Sequence, residues 1–171
     1  MILNIPSSIF PHLSLSIIYT DTKITNIEFI STKKNNKFSA ELSSDIDITS
    51  LEQQIKYQFK QYFLSSGFQF SLDFQFIKGT EFQQKVWHAL TEIPIGKLMT
   101  YGQLAKKLNS SPRAVGNACR NNPLPIIVPC HRIVSASGIG GYAGDTLTRQ
   151  NTDIDFLAIK KWLLSHERAG F

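Results

Sequence analysis

The sequence predicts a mixed α/β protein in two parts: an α/β segment over residues 1–77 and a mostly helical segment over residues 78–171 that contains a helix-turn-helix. Three observations predict this. Apolar residues alternate early in the chain, with period two. They recur at helical spacing later on, behind recognisable capping residues. Two short helical patterns then follow one another across a polar turn, Asn109-Ser110-Ser111. With 171 residues, 42% of them hydrophobic and 12 of them Phe, the chain can bury a sizeable core.

Leu13-Ser14-Leu15-Ser16-Ile17-Ile18-Tyr19 and Ile24-Thr25-Asn26-Ile27-Glu28-Phe29-Ile30 read as strands, and Thr20-Asp21-Thr22-Lys23 between them reads as the turn of a hairpin. A Lys- and Asn-rich loop follows near residues 33–37. Thr49-x-x-Glu52 has the form of a capping box, predicting a helix whose apolar face is Leu51, Ile55, Phe59 and Tyr62 and whose end is Ser66-Gly67. Alternation over residues 68–74 predicts another strand. Thr80-x-x-Gln83 is a second capping box, opening a helix with Phe82, Val86 and Leu90 on one side. Pro94-Ile95-Gly96 interrupts the chain. Thr100 can cap a helix from Tyr101 to Leu108. Ser111-Pro112 places serine at a cap and proline in the first turn of the next helix, which is rich in small residues. Small side chains suit close approach either to a nucleic-acid groove or to a neighbouring helix. The last helix carries Ile159, Trp162 and Leu163 as apolar positions.

Composition excludes several classes. No apolar run approaches a membrane span, and Met1-Ile2-Leu3-Asn4-Ile5-Pro6 lacks the features of a secretory signal, so a cytoplasmic protein is expected. Cys119 and Cys130 are too few for a disulfide framework, and the four histidines show no zinc-ligand spacing; neither metal nor cofactor is implied. The net charge is +5, and it is unevenly placed. From Ile93 to Gly144 there is no Asp or Glu, while Lys97, Lys106, Lys107, Arg113, Arg120 and Arg132 fall in that interval. Such a segment is either a solvated face or a surface for nucleic acid.

The most informative run is Val128-Pro129-Cys130-His131-Arg132-Ile133-Val134, set between Asn122-Pro123-Leu124-Pro125 and the Gly-rich 138–144. A lone buried cysteine is ordinarily inert. Here rigid and permissive backbone on both sides marks a shaped loop, and a base follows the thiol directly. An ordinary thiol has a pKa of about 8.5, so it needs a base or a positive field to become a nucleophile at neutral pH. If the local chain is extended, Cys130 and His131 point to opposite faces, and a water must bridge them.

Asn122-Pro-x-Pro-x-x-x-Pro-Cys130-His131-Arg132 resembles the O6-alkylguanine-DNA alkyltransferases, and the resemblance runs from about Thr80 to Glu167. It implies stoichiometric, irreversible transfer of an alkyl group from O6 of guanine in double-stranded DNA to Cys130, after base flipping, by a monomer. O4-alkylthymine is a further substrate to be considered. The resemblance implies that Glu167 orients His131, which deprotonates Cys130 through water; that Asn122 braces the turn; and that the Tyr101 hydroxyl assists at N3 of the base. It assigns DNA contact to Arg113, Ala114, Gly116 and Asn117, with Arg113 filling the vacated stack and the helix entering the minor groove. Pro125, Ile133, Tyr142 and Ala143, together with Tyr101, would line the base pocket. The N-terminal part would be ribonuclease-H-like. His166 matches no catalytic position, and Arg132 is expected to serve structure or local positive potential.

Two alternatives stand beside this reading. One is a cysteine hydrolase using Cys130, His131 and Glu167; the other is a DNA-binding module that recognises the damage without repairing it. The reactive Cys130 argues against the second. The chain departs from its relatives' pattern after Gly144, where an insertion from Asp145 to about Phe156, with Asp145, Asp153 and Asp155, is expected to form an exposed loop.

Overall fold

The computed structural model describes residues 1–6, 12–31, 50–142 and 154–170. The chain divides into two compact units, Met1–Ile77 and Lys78–Phe171.

In the first unit, β1 (Ile2–Pro6), β2 (Leu13–Tyr19) and β3 (Ile24–Ser31) form an antiparallel sheet in the order β1-β2-β3. The expected hairpin is β2 and β3; β1 is an additional edge strand. Leu13, Leu15, Ile17 and Tyr19 are buried while Ile18 is exposed, as the period-two pattern requires. Helix α1 (Leu51–Leu64) buries Ile55, Phe59 and Tyr62. Its cap differs from expectation. Ser50 accepts the Gln53 amide, while Glu52 is engaged by the Tyr19 hydroxyl at 2.8 Å and by Lys56 at 2.7 Å; Thr49 lies outside the described residues. The carboxylate that would complete a capping box is thus drawn into a tertiary contact.

Residues 68–74 do not form a ladder strand. Their single bridge joins Phe74 to Ile24, through Ile24 N to Asp73 O and Gln75 N to Ile24 O, both 2.9 Å. The Gln58 side chain holds the rest, donating to Ser71 Oγ and accepting from Ser71 N at 2.8 Å each. Alternate burial survives, with Leu72 buried and Gln69, Ser71, Asp73 and Gln75 exposed. The reason is physical: alternation reports an extended backbone, and extension does not require a partner strand.

In the second unit, α2 (Glu81–Thr91) begins with the reciprocal capping box of Thr80 and Gln83 and buries Val86, Trp87 and Leu90. The Trp87 indole donates to the carbonyl of Ala118 at 2.8 Å, joining α2 to α4 (Pro112–Arg120). The ring can come this close to the chain only because Gly79 has no side chain. A Cβ there would lie 2.4 Å from Trp87, and its φ of +100° also disfavours other residues. Helix α3 (Tyr101–Lys107) has the capping box of Thr100 and Gln103, and α4 has Ser111 as cap with Pro112 in its first turn. Asn109, at φ 50°, turns the chain between them. A short parallel pair, β4 (Met99–Thr100) with β5 (Ile133–Val134), ties the start of α3 to the segment after Cys130.

Helix α5 (Phe156–His166) is capped by Asp155, whose carboxylate accepts the Ala158 amide at 2.8 Å. Phe156 is buried, so the expected loop ends earlier than Phe156; residues 145–153, most of that insertion, lie outside the described residues. No helix among the described residues is long and apolar enough to cross a membrane.

Gly79→Ala should lower stability by about 2 kcal/mol or more, because the added methyl overlaps an indole that is itself hydrogen-bonded. The urea unfolding midpoint measures it; an unchanged midpoint would show that Trp87 moves freely.

Candidate active site

Cys130 does not continue an extended segment. Pro129, at φ −81° and ψ 63°, turns the chain into a 3-10 turn, Cys130–Arg132, before β5 begins. The tighter path changes what each side chain of the Cys-His-Arg run reaches. Cys130 and His131 are both buried, and Arg132 is half-buried.

Asn122 braces this turn from the end of α4. Its Nδ2 donates to Val128 O at 2.8 Å and to Cys130 Sγ at 3.1 Å, and its Oδ1 accepts the Leu124 amide at 3.0 Å. One amide thereby fixes both ends of the proline-rich loop and touches the sulfur. Burial pushes the Cys130 thiol up from its ordinary pKa, while the Asn122 hydrogen bond and Lys160 oppose that shift. The resting group is a thiol, and its activation requires a base.

A candidate base sits beside Glu167. His131 Nε2 lies 3.0 Å from Glu167 Oε1. Because an ionised carboxylate only accepts, Nε2 carries the hydrogen, and Nδ1 has its lone pair available. Nδ1 has no hydrogen-bond partner among the described residues. Burial holds the imidazole below its usual pKa against the pull of Glu167, with Arg132 and Lys160 adding to the depression. His131 is neutral at pH 7. Glu167 also receives Arg132, Nε to Oε2 at 2.8 Å and Nη2 to Oε1 at 2.9 Å, while Arg132 Nη1 donates to the carbonyl of Ile93. Burial alone would raise the carboxyl's pKa; the hydrogen bonds of His131 and Arg132 outweigh it and hold Glu167 well below the usual range.

Lys160 is the residue that sequence reading missed. It is fully buried, and its ammonium donates to Ile133 O at 2.7 Å and Gly141 O at 2.9 Å. Burial brings its pKa down to about 8, with the two cysteines favouring the charged form. A signal existed: Phe156, Ile159, Lys160, Leu163 and Leu164 are the buried stripe of α5, so a lysine stands within an apolar helical face.

Tyr101, first residue of α3, donates its hydroxyl to Gly141 O at 3.3 Å. Burial raises its pKa further, so the phenol keeps its proton. Gly140 permits this packing, since a Cβ would stand 3.2 Å from the Tyr101 ring and its φ is +68°. Tyr101, Arg113, Gly116 and Gly141 face an open cleft of about 540 Å³. Arg113 and Asn117 are exposed on α4, and Ala114 and Gly116 half-buried. Pro125, Ile133 and Tyr142 are buried and do not line the cleft; Ala143 lies outside the described residues. Cys119 is also buried, and burial pushes its thiol up strongly. No cluster suited to a metal ion occurs among the described residues.

A buried thiol held by an amide, with a neutral histidine next in sequence and a carboxylate behind it, defines a protein with a cysteine nucleophile. Comparison with known proteins then specifies which. Residues 81–169 match the family model described as 6-O-methylguanine DNA methyltransferase, DNA binding domain. A methylated-DNA–protein-cysteine methyltransferase of Archaeoglobus fulgidus is 38% identical over 119 residues, spanning 70% of this chain and 77% of the relative. A probable methylated-DNA–protein-cysteine methyltransferase of Acanthamoeba polyphaga mimivirus is 37% identical, spanning 90% of this chain and 89% of the relative. Among solved structures, Mycobacterium tuberculosis OGT in complex with DNA is 30% identical at a TM-score of 0.69, covering 96% of this chain and 91% of that one. The chain belongs to the 6-O-methylguanine DNA methyltransferase family, and its mixed α/β fold is theirs.

The buried pair also fixes how stability depends on pH. His131 has a folded-state pKa below its unfolded value of about 6.5, so below that pH the unfolded chain takes up a proton that the folded chain refuses. Stability should therefore fall with acidification from pH 6.5, by up to about 1.4 kcal/mol per pH unit. Glu167 adds a loss in the same direction below about pH 4.3, the ordinary carboxylate pKa. Thermal unfolding between pH 5 and 8 tests this, and His131→Gln should flatten the upper part of the dependence.

Proposed function

We propose that the chain repairs DNA by moving an alkyl group from O6 of guanine onto Cys130, once per molecule. The observation that carries this reading is the pairing of a buried, Asn122-held thiol with a neutral His131 whose Nε2 is committed to Glu167. With Nε2 occupied, Nδ1 is the base, and one bridging water carries the Cys130 proton to it. The thiolate attacks the alkyl carbon, a C–S bond forms, and the C–O6 bond breaks with its electrons passing to guanine. Tyr101 releases Gly141 O and donates its hydroxyl to N3, stabilising the charge that develops on the purine. Loss of such a donor costs roughly 3 kcal/mol. The product is a thioether. It has no carbonyl for water to attack, which distinguishes this outcome from a hydrolase's acyl-enzyme and makes the protein single-use.

The guanine must leave the helix to react, at a cost of a few kcal/mol that is smaller for a damaged base. The reading places α3 and α4 as a helix-turn-helix, with Ala114, Gly116 and Asn117 of α4 against the minor groove and Arg113 in the vacated stack. The exposure of Arg113 at the mouth of the cleft supports this. In this reading the flipped base passes beyond the cleft to reach Pro125, Ile133 and Tyr142, which are buried in the free protein, and Ala143. The first unit acts as a ribonuclease-H-like scaffold, and the protein works as a monomer on double-stranded DNA.

Incubation with duplex DNA containing O6-methylguanine should add one methyl group per molecule, on Cys130 by peptide mass spectrometry, and Cys130→Ser should add none while still binding DNA. Methylation of Cys119, or continued turnover, would contradict the reading. Arg113→Ala should slow repair of duplex DNA by at least about tenfold more than it slows reaction with free O6-benzylguanine, because only the duplex substrate must be flipped. Equal losses on both substrates would place Arg113 in the pocket instead.

A further inference from the structure

Two of the groups bonded to the buried carboxylate are cationic or potentially cationic, and they do not share the charge equally. Glu167 Oε1 is shared between His131 Nε2 and Arg132 Nη2, and Oε2 takes Arg132 Nε. The carboxylate side chain is fully buried and Arg132 only 12% exposed, so water screens this arrangement little. A guanidinium cannot give up its proton, and its fork matches a carboxylate at two points. The Arg132–Glu167 pair is therefore already neutral as a unit, and His131 has no uncompensated anion beside it.

We infer that Arg132 is a positioning residue for the reaction, keeping His131 in the neutral form by satisfying the Glu167 carboxylate. The inference rests on the reading of His131 as the base for Cys130. It departs from a simple triad, in which the carboxylate would make the histidine more basic. Without Arg132, the buried Glu167 carboxylate would lose its two-point guanidinium partner, and an imidazolium–carboxylate pair would become the lower-cost arrangement. Nδ1 would then carry a proton and could not accept one from the thiol.

The other groups facing His131 do not replace Arg132. On the same turn, Cys130 is a thiol at rest. From α5 the facing groups are Glu167 itself and Lys160, whose ammonium is bound by the carbonyls of Ile133 and Gly141. Helix α2 also packs on the turn, but its titratable residues Glu81, Lys85 and His88 are exposed. Lys160 acts in the same direction as Arg132.

The test combines charge removal at one partner and at both. In the parent, the single-turnover rate should vary little with pH from 6 to 8, since His131 is neutral throughout. Arg132→Met should be about 100-fold slower at pH 7, within the range a general base contributes, and its rate should rise with pH. Arg132→Met combined with Glu167→Gln removes both charges and leaves an amide oxygen to accept Nε2–H. That double variant should be faster at pH 7 than Arg132→Met alone and should again be insensitive to pH, a rescue that a purely structural role for Arg132 does not produce. NMR titration of the His131 ring in the same proteins reads the protonation without reference to DNA: its midpoint should move up in Arg132→Met and return in the double variant. Arg132→Lys, which keeps one charge but loses the fork, should give a smaller upward shift and serves if Arg132→Met fails to fold. An unshifted His131 midpoint in every folded variant would overturn the inference, even if alkyl transfer proceeds as proposed. Shifted midpoints in a protein that transfers no alkyl group would uphold the charge arrangement and instead reject the repair function.

Discussion

Everything at the site depends on one buried carboxylate. Glu167 stands at the end of α5 with its side chain fully enclosed, and an enclosed anion persists only if each oxygen is hydrogen-bonded and its charge is met. Arg132 meets the charge, and His131 Nε2 donates to the same oxygen, Oε1, that Arg132 Nη2 reaches. His131 and Arg132 are adjacent and Glu167 lies 35 residues beyond Arg132, so the carboxylate also fastens the 3-10 turn to the C-terminal helix. The spacing of α5 makes this possible. Ile159, Lys160, Leu163, Leu164 and Glu167 recur on one face, so a single helix buries its apolar stripe and delivers both an ammonium and a carboxylate to the interior.

Around that anchor, short backbone elements set the distances. The β4–β5 pair places Tyr101 directly after Thr100, opposite the segment that follows Cys130. Asn122 ties the end of α4 to the sulfur, and Lys160 ties β5 to Gly141, the carbonyl on which the Tyr101 hydroxyl rests. A protein that reacts once gains nothing from releasing its product. Its requirement is a thiol that stays protonated and protected until a substrate arrives, which fits the raised pKa of Cys130 and its burial.

Local rules made much of this legible beforehand. The caps at Thr80, Thr100 and Ser111, the proline at the start of α4 and the β2–β3 hairpin all depend on neighbours within a few residues, and such signals survive folding intact. Failures came where tertiary contacts competed. Glu52 was drawn to Tyr19 and Lys56, which moved the cap of α1 to Ser50. Residues 68–74 kept their alternation but obtained hydrogen bonds from Gln58 and a single bridge rather than from a ladder. The 3-10 turn at Cys130 was hidden by β-branched neighbours that favour strands. Family resemblance, not any spacing rule, is what pointed to Tyr101, Asn122 and Glu167 and to the roles proposed for them. Arg132 shows the limit of charge as a sequence signal. From sequence Arg132 reads only as structure or local positive potential, and nothing in its immediate neighbourhood tells that it will close on a glutamate 35 residues away.

The most direct measurement is the tautomer of His131 in the unmodified protein, read from the nitrogen-15 shifts of its ring at pH 7. The account predicts a protonated Nε2 and an unprotonated Nδ1. An imidazolium, or a proton on Nδ1, would contradict it, because the nitrogen proposed to receive the thiol's proton would then be unable to accept it.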